Sequence, residues 1–176
     1  MLIDPRTILL FASNVILLYL MLLVNSALAS GSIYLCLLGP MIVVPALYLS
    51  HRSYFICTLV TGLWVDAALP AAYGLFTTCF LFAGAFIFQI RIRFRAEHNY
   101  HPILLAHGLN LFYLLVLAVF LGKDSWGSAA YWVQVLVTVL GSHVALLFVA
   151  PWFFNFERML FALFHMDPEP EDFPIL

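Results

Sequence analysis

The residue best placed to do chemistry is Asp66. It interrupts an apolar stretch, with Gly62-Leu63-Trp64-Val65 before it and Ala67-Ala68-Leu69 after it. A carboxylate deep in an apolar medium costs several kcal/mol unless it is paired, hydrated or protonated. Asp66 therefore reads as a buried polar anchor, a proton site or a ligand contact, or else as a helix end that water reaches. Counting about 1.5 Å of rise per residue from Ser53 puts it roughly 20 Å along its helix. Pro70, four residues on, has no N–H for the Asp66 carbonyl, so the helix must bend or stop there. Thr58, Gly62, Asp66, Pro70 and Gly74 recur every fourth residue. That spacing makes a slowly winding stripe on which small residues allow close approach of a second helix.

Other polar residues also fall on shared faces. Asn14 and Asn25, eleven apart, lie on one side of a first helix, His107 and Asn110 are neighbours, and Gln134, Thr138 and Ser142 follow one another at helical spacing. Asn14, Asn25, His107, Asn110 and Gln134 are expected to make polar contacts inside the structure, each worth about 0.6 kcal/mol. His98 and His101 have an i,i+3 spacing that can hold a metal, with His107 or His143 to complete it, but no cysteine or acid stands at ligand spacing. Cys36, Cys57 and Cys79 lie inside apolar runs and read as small hydrophobes. No phosphate-cradling glycine loop, nucleophile elbow or zinc motif is present. The expectation is no enzyme, no metal and no cofactor. Seven basic against nine acidic residues imply no nucleic-acid partner.

The elements that carry these residues follow from composition. The 176 residues are 65% hydrophobic and only 9% charged, with a mean hydropathy of +1.05. A soluble domain carries roughly 25% charged residues, and no soluble fold could bury this much apolar surface. The solvent must be lipid. Runs at 7–29, 33–49, 54–72, 74–90, 103–121 and 130–150 are apolar throughout rather than alternating, and most approach the roughly 20 residues that cross a bilayer. The expected fold is all-α, a polytopic integral membrane protein of about six transmembrane helices. The first run reads as a retained span, longer than a signal-peptide core. Pro40 and Pro45 should bend the short second run, which can also insert only in part. Arg6, Arg52, Arg91, Arg93, Arg95 and Arg158 fall on one side and Lys123 on the other, so both termini should be cytoplasmic. The arginines at 91, 93 and 95 read as that topology signal and as contacts for anionic lipid. Residues 1–166 should form a single helical domain. Residues 152–165 read as an interfacial helix or as an extension of the sixth span. Residues 167–176, with four acids and three prolines, read as a flexible cytoplasmic tail.

Gly62-Leu63, Asp66 and Gly74-Leu75 resemble, in type and spacing, the signature of the rod-shape-determining MreD family. Chain length and the expected spans fit over most of the sequence. The resemblance implies a fold similar to the substrate-binding subunits of energy-coupling-factor transporters. It further implies a non-catalytic scaffold in the bacterial inner membrane, part of the cell-elongation machinery for peptidoglycan synthesis. The implied partner is an MreC-like membrane protein and, through it, MreB filaments and the RodA–transpeptidase synthase. It makes Gly62, Asp66, Pro70 and Gly74 structural or partner-binding residues. The alternative is a substrate-binding membrane subunit of an energy-coupling-factor-type transporter, which would need a polar pocket opening outward.

Overall fold

The computed structural model of the chain describes residues 4–31, 33–95 and 100–166. Six helices follow one another: α1 (Pro5–Leu28), α2 (Pro40–Tyr48), α3 (His51–Ala68), α4 (Leu75–Arg95), α5 (Tyr100–Leu121) and α6 (Ala129–Leu163). No strand occurs among the described residues. Pro5–Gly31, Pro102–Phe120 and Ala129–Leu163 are each long and apolar enough to cross a membrane, and Leu75–Arg91 is a shorter apolar helix. The described residues thus form an all-α structure with three helices compatible with a membrane protein.

The second apolar run departs from expectation. It does not form one bent helix. Residues 33–38 are extended, and only Pro40–Tyr48 is helical. Nine residues rise about 13 Å, well short of the roughly 30 Å hydrocarbon core. From Pro40 to Leu47 every residue of α2 is buried, and α2 touches all five other helices. It is the centre around which the bundle is built.

A break of this kind strands backbone N–H and C=O groups where lipid offers no partners. Side chains of the surrounding helices supply them. Asn25 on α1 grips Leu35 from both sides: its Oδ1 accepts from the Leu35 N–H at 2.7 Å and its Nδ2 donates to the Leu35 carbonyl at 2.8 Å. The Cys36 N–H donates to Ser142 Oγ on α6 at 2.9 Å. The Leu37 N–H meets Met21 Sδ at 3.3 Å, and the Gly39 N–H meets Asn110 Oδ1 on α5 at 3.3 Å. Within α2, Pro45 has no N–H for the Met41 carbonyl. Asn14 Nδ2 takes that carbonyl at 3.0 Å and also reaches Thr61 Oγ1 on α3 at 3.2 Å. At the far end of α2, Arg91 Nη1 donates to the Leu49 carbonyl at 3.0 Å, and its guanidinium lies 3.7 Å over the Phe88 ring. Arg91 is buried. It caps a helix C-terminus, where a cation is favoured.

Three further expectations meet the structure here. Residues 152–163 continue α6 through Pro151 as one helix. Gln134 does not turn inward: it is exposed on α6 and has no hydrogen bond among the described residues. Residues four apart drift about 40° around a helix at each step, so Gln134 stands about 80° round from buried Ser142, while Thr138 between them is half-buried. His98 and the tail 167–176 lie outside the described residues, as does the side chain of His101.

Asn25→Leu removes both partners of Leu35 and should cost about 2–4 kcal/mol, at roughly 1–3 per stranded group. Gln134→Leu should leave stability within about 0.5 kcal/mol. Thermal unfolding of the two variants in mild detergent checks the contrast, and equal losses would contradict the assignment of Asn25 to the interior and Gln134 to the surface.

Candidate functional site

The motif around Asp66 assembles at the turn from α3 to α4. The Leu69 N–H closes the last turn of α3 on the Val65 carbonyl at 2.9 Å, and Pro70 then lies exposed in the connection. The chain reverses through Gly74, whose φ of +95° is a left-handed conformation natural to glycine. From there α4 begins, and its first four N–H groups would ordinarily lack partners. Each has one. The Leu75 N–H donates to the Ala72 carbonyl at 3.0 Å and the Thr78 N–H to the Gly74 carbonyl at 3.0 Å. The Phe76 N–H donates to Asp66 Oδ1 at 2.8 Å and the Thr77 N–H to Asp66 Oδ2 at 3.0 Å. Thr77 Oγ1 donates to Asp66 Oδ2 as well.

Asp66 is thus a cap delivered from a neighbouring helix. Its side chain is 4% exposed, so it is not a helix end bathed by water. It accepts in all three bonds, and it sits at the positive end of the α4 dipole, where an anion is stabilised. Gly62, one turn earlier on α3, makes the approach feasible. A Cβ at Gly62 would stand 2.6 Å from Thr77 Cα, closer than packed carbons tolerate. Glycine there lets the first turn of α4 lie against α3, within reach of the Asp66 carboxylate. Gly62, Asp66 and Gly74 therefore act on one object, the start of α4, while Pro70 and Leu69 border a mainly apolar cavity of about 150 Å³ beside Asn25 and Cys36.

The remaining polar candidates do not join this site. Asn14, Asn25 and Asn110 serve the broken second element. His107 and His143 meet between α5 and α6 with their Nδ1 atoms 2.8 Å apart. Their ring centroids are 5.1 Å apart and their planes 16° apart. The centroids exceed the nitrogen separation by about two ring radii, so the rings meet edge to edge in one N–H···N bond. One imidazole must donate and the other accept. Sequence reasoning missed Thr77, Met21 and Glu157. Glu157 is buried against α1. The signal for it was periodicity: the buried residues Ser142, Leu146, Ala150, Phe153, Glu157 and Phe161 mark one helical face that includes it.

Asp66→Leu should cost about 3–5 kcal/mol, since it strands two N–H groups and a hydroxyl. Asp66→Asn keeps one acceptor but turns an NH₂ toward donors, and should cost about 1–2 kcal/mol. Gly62→Ala should destabilise at least as much as Asp66→Asn, by forcing α4 away from α3. Unfolding midpoints of the three variants test the order. An Asp66→Leu variant as stable as the parent would remove the capping role.

Compared with protein-family models, with curated proteins and with solved structures, the chain matches none.

Proposed function

We propose that the chain is a non-catalytic membrane scaffold of the MreD type, acting in the cell-elongation complex beside an MreC-like partner. The observation that carries this reading is the use made of the motif. Its glycines and its aspartate are spent on joining two helices, and each carboxylate oxygen is taken by α4. Three of the roughly four acceptor sites of the Asp66 carboxylate are occupied within the protein. A transporter subunit would want polar groups free in an open pocket, whereas the cavity beside Pro70 is lined mainly by apolar side chains and its Asn25 is engaged by Leu35. The chain's role is then to present a fixed helical surface in the bilayer to other membrane proteins.

The proposal includes six spans and cytoplasmic termini in a bacterial inner membrane. Its support is the grouping of Arg6, Arg52, Arg91 and Arg158 at the end of the bundle where α1, α3 and α5 begin, with Lys123 at the other. Reporter fusions after Leu49 and after Leu121 should report cytoplasm and exterior, respectively. Reversal at both sites would sink the orientation, and a miss confined to Leu49 would mean that the broken second element does not return across the bilayer. For partnership, the test is affinity purification of the full chain in mild detergent with identification of what accompanies it. An MreC-like single-span protein should come with it, and be lost in Asp66→Leu at unchanged membrane level. Recovery instead of an energising ATPase module and a retained small molecule would favour the transporter reading.

A further inference from the structure

The least explained ionisable group in the molecule is Glu157. It is 1% exposed, in the C-terminal half of α6. Its Oε1 lies 3.1 Å from Ser13 Oγ on α1, and its Oε2 is buried with no hydrogen-bond partner. It makes no ion pair with a described residue. Asp66 shows what a buried carboxylate looks like here when it is satisfied: three donors and a helix N-terminus. Glu157 has none of these except one hydroxyl.

That hydroxyl is already committed. Ser13 Oγ lies 2.9 Å from the Leu10 carbonyl, one turn back on α1. A serine has one hydrogen to give. A carbonyl and an ionised carboxylate can each only accept, so both would compete for that one hydrogen. Each contact has its own hydrogen when the carboxyl is protonated: Glu157 Oε1–H donates to Ser13 Oγ, and Ser13 Oγ–H donates to the Leu10 carbonyl. The unpartnered Oε2 becomes the carbonyl oxygen of a neutral acid, far less costly to leave bare than a carboxylate oxygen.

We infer that Glu157 is a proton-binding site, which holds its proton inside the bundle, donates it to Ser13 and so ties α6 to α1. The surroundings fit. The groups that face it are Ser13 from α1, Tyr48 from α2, Cys57 from α3, Pro102 from α5 and Arg158 from α6 itself. Arg158 donates to Asn155 at 2.6 Å and does not reach the carboxyl. A cavity of about 80 Å³, bordered by Tyr48, Pro102, Glu157 and Arg158, can hold several waters, since one needs only about 10–15 Å³. Water in that cavity supplies the proton and takes it back. Loss of the proton would leave two carboxylate oxygens facing one committed hydroxyl, so the join between α1 and α6 depends on its occupancy.

Infrared spectroscopy of the full chain in neutral phospholipid vesicles tests this directly. Exposed carboxyl groups ionise near about 4.3, so at neutral pH they show carboxylate bands only. The parent should show a carbonyl band of a protonated acid, at the high-frequency end expected for an unbonded C=O. Glu157→Gln should abolish that band, with an unfolding midpoint within about 4 °C of the parent, because its NH₂ can still donate to Ser13. Ser13→Ala retains the acid but should move the band. A parent spectrum with no acid band, a band that survives Glu157→Gln, or a band that Ser13→Ala leaves unmoved overturns the inference. Should Glu157→Gln fail to fold, the parent and Ser13→Ala spectra decide alone.

Discussion

A backbone amide inside a bilayer has no water to fall back on, and the rest of this structure depends on how one stretch of chain meets that constraint. Long helices satisfy their own ladders. Residues 35–39 do not, yet they lie packed among the helices. Each unpaired group there would cost several kcal/mol. Partners come from Asn25 and Met21 on α1, Asn110 on α5 and Ser142 on α6. Three of the surrounding helices are therefore held in rotation and height by the need to serve one extended segment. Apolar packing alone would permit sliding, because lipid tails compete equally well for apolar side chains. The hydrogen bonds specify which arrangement is adopted.

Charge is placed by the same logic. Asp66 stands at the N-terminus of α4 and Arg91 at the C-terminus of α2. Each is buried, and each meets the end of a helix dipole that favours its sign. Glu157 stands against the middle of α1, where a helix offers no free N–H groups. There the carboxyl meets only a serine already bonded to its own backbone. Two acids at similar burial therefore take opposite hydrogen-bond roles, and the cause is their position relative to helix ends rather than their depth.

This separates what the residues announce from what they conceal. The membrane class was legible from composition, because 9% charge leaves no other solvent. The interruption at Asp66 was legible too, since glycine, aspartate and proline in an apolar stretch mark one, but the residues left the use of the carboxylate open, and its partners on α4 lie ten and eleven residues on. The break in the second run was not. Ile33, Tyr34, Leu35, Cys36, Leu37 and Leu38 contain nothing that refuses a helix. What unwinds them lies far along the chain, in the partners that make an extended path affordable. Pro45 gave half of the signal by freeing the Met41 carbonyl, but the other half was Asn14, 27 residues away. Gln134 misled because spacing by four was taken as one face, whereas the drift of about 40° per step carries the third residue out of contact.

The inward use of polar groups also bears on how such a chain can meet a partner. The outward surface of α6 is a file of apolar side chains, including Val133, Leu136, Leu140, Leu147 and Phe148. In water that surface would aggregate. In lipid it carries no hydrophobic drive toward another helix, because acyl chains cover it as well as protein does. Association must then come from shape, through close contact between rigid surfaces, or from a polar group left facing outward. Rigidity is what the buried bonds to α2 provide, since they fix the long helices against one another. A scaffold in a membrane is in this sense the reverse of a soluble adaptor. Its polar chemistry is spent inside on holding a shape, and the shape is what remains for recognition.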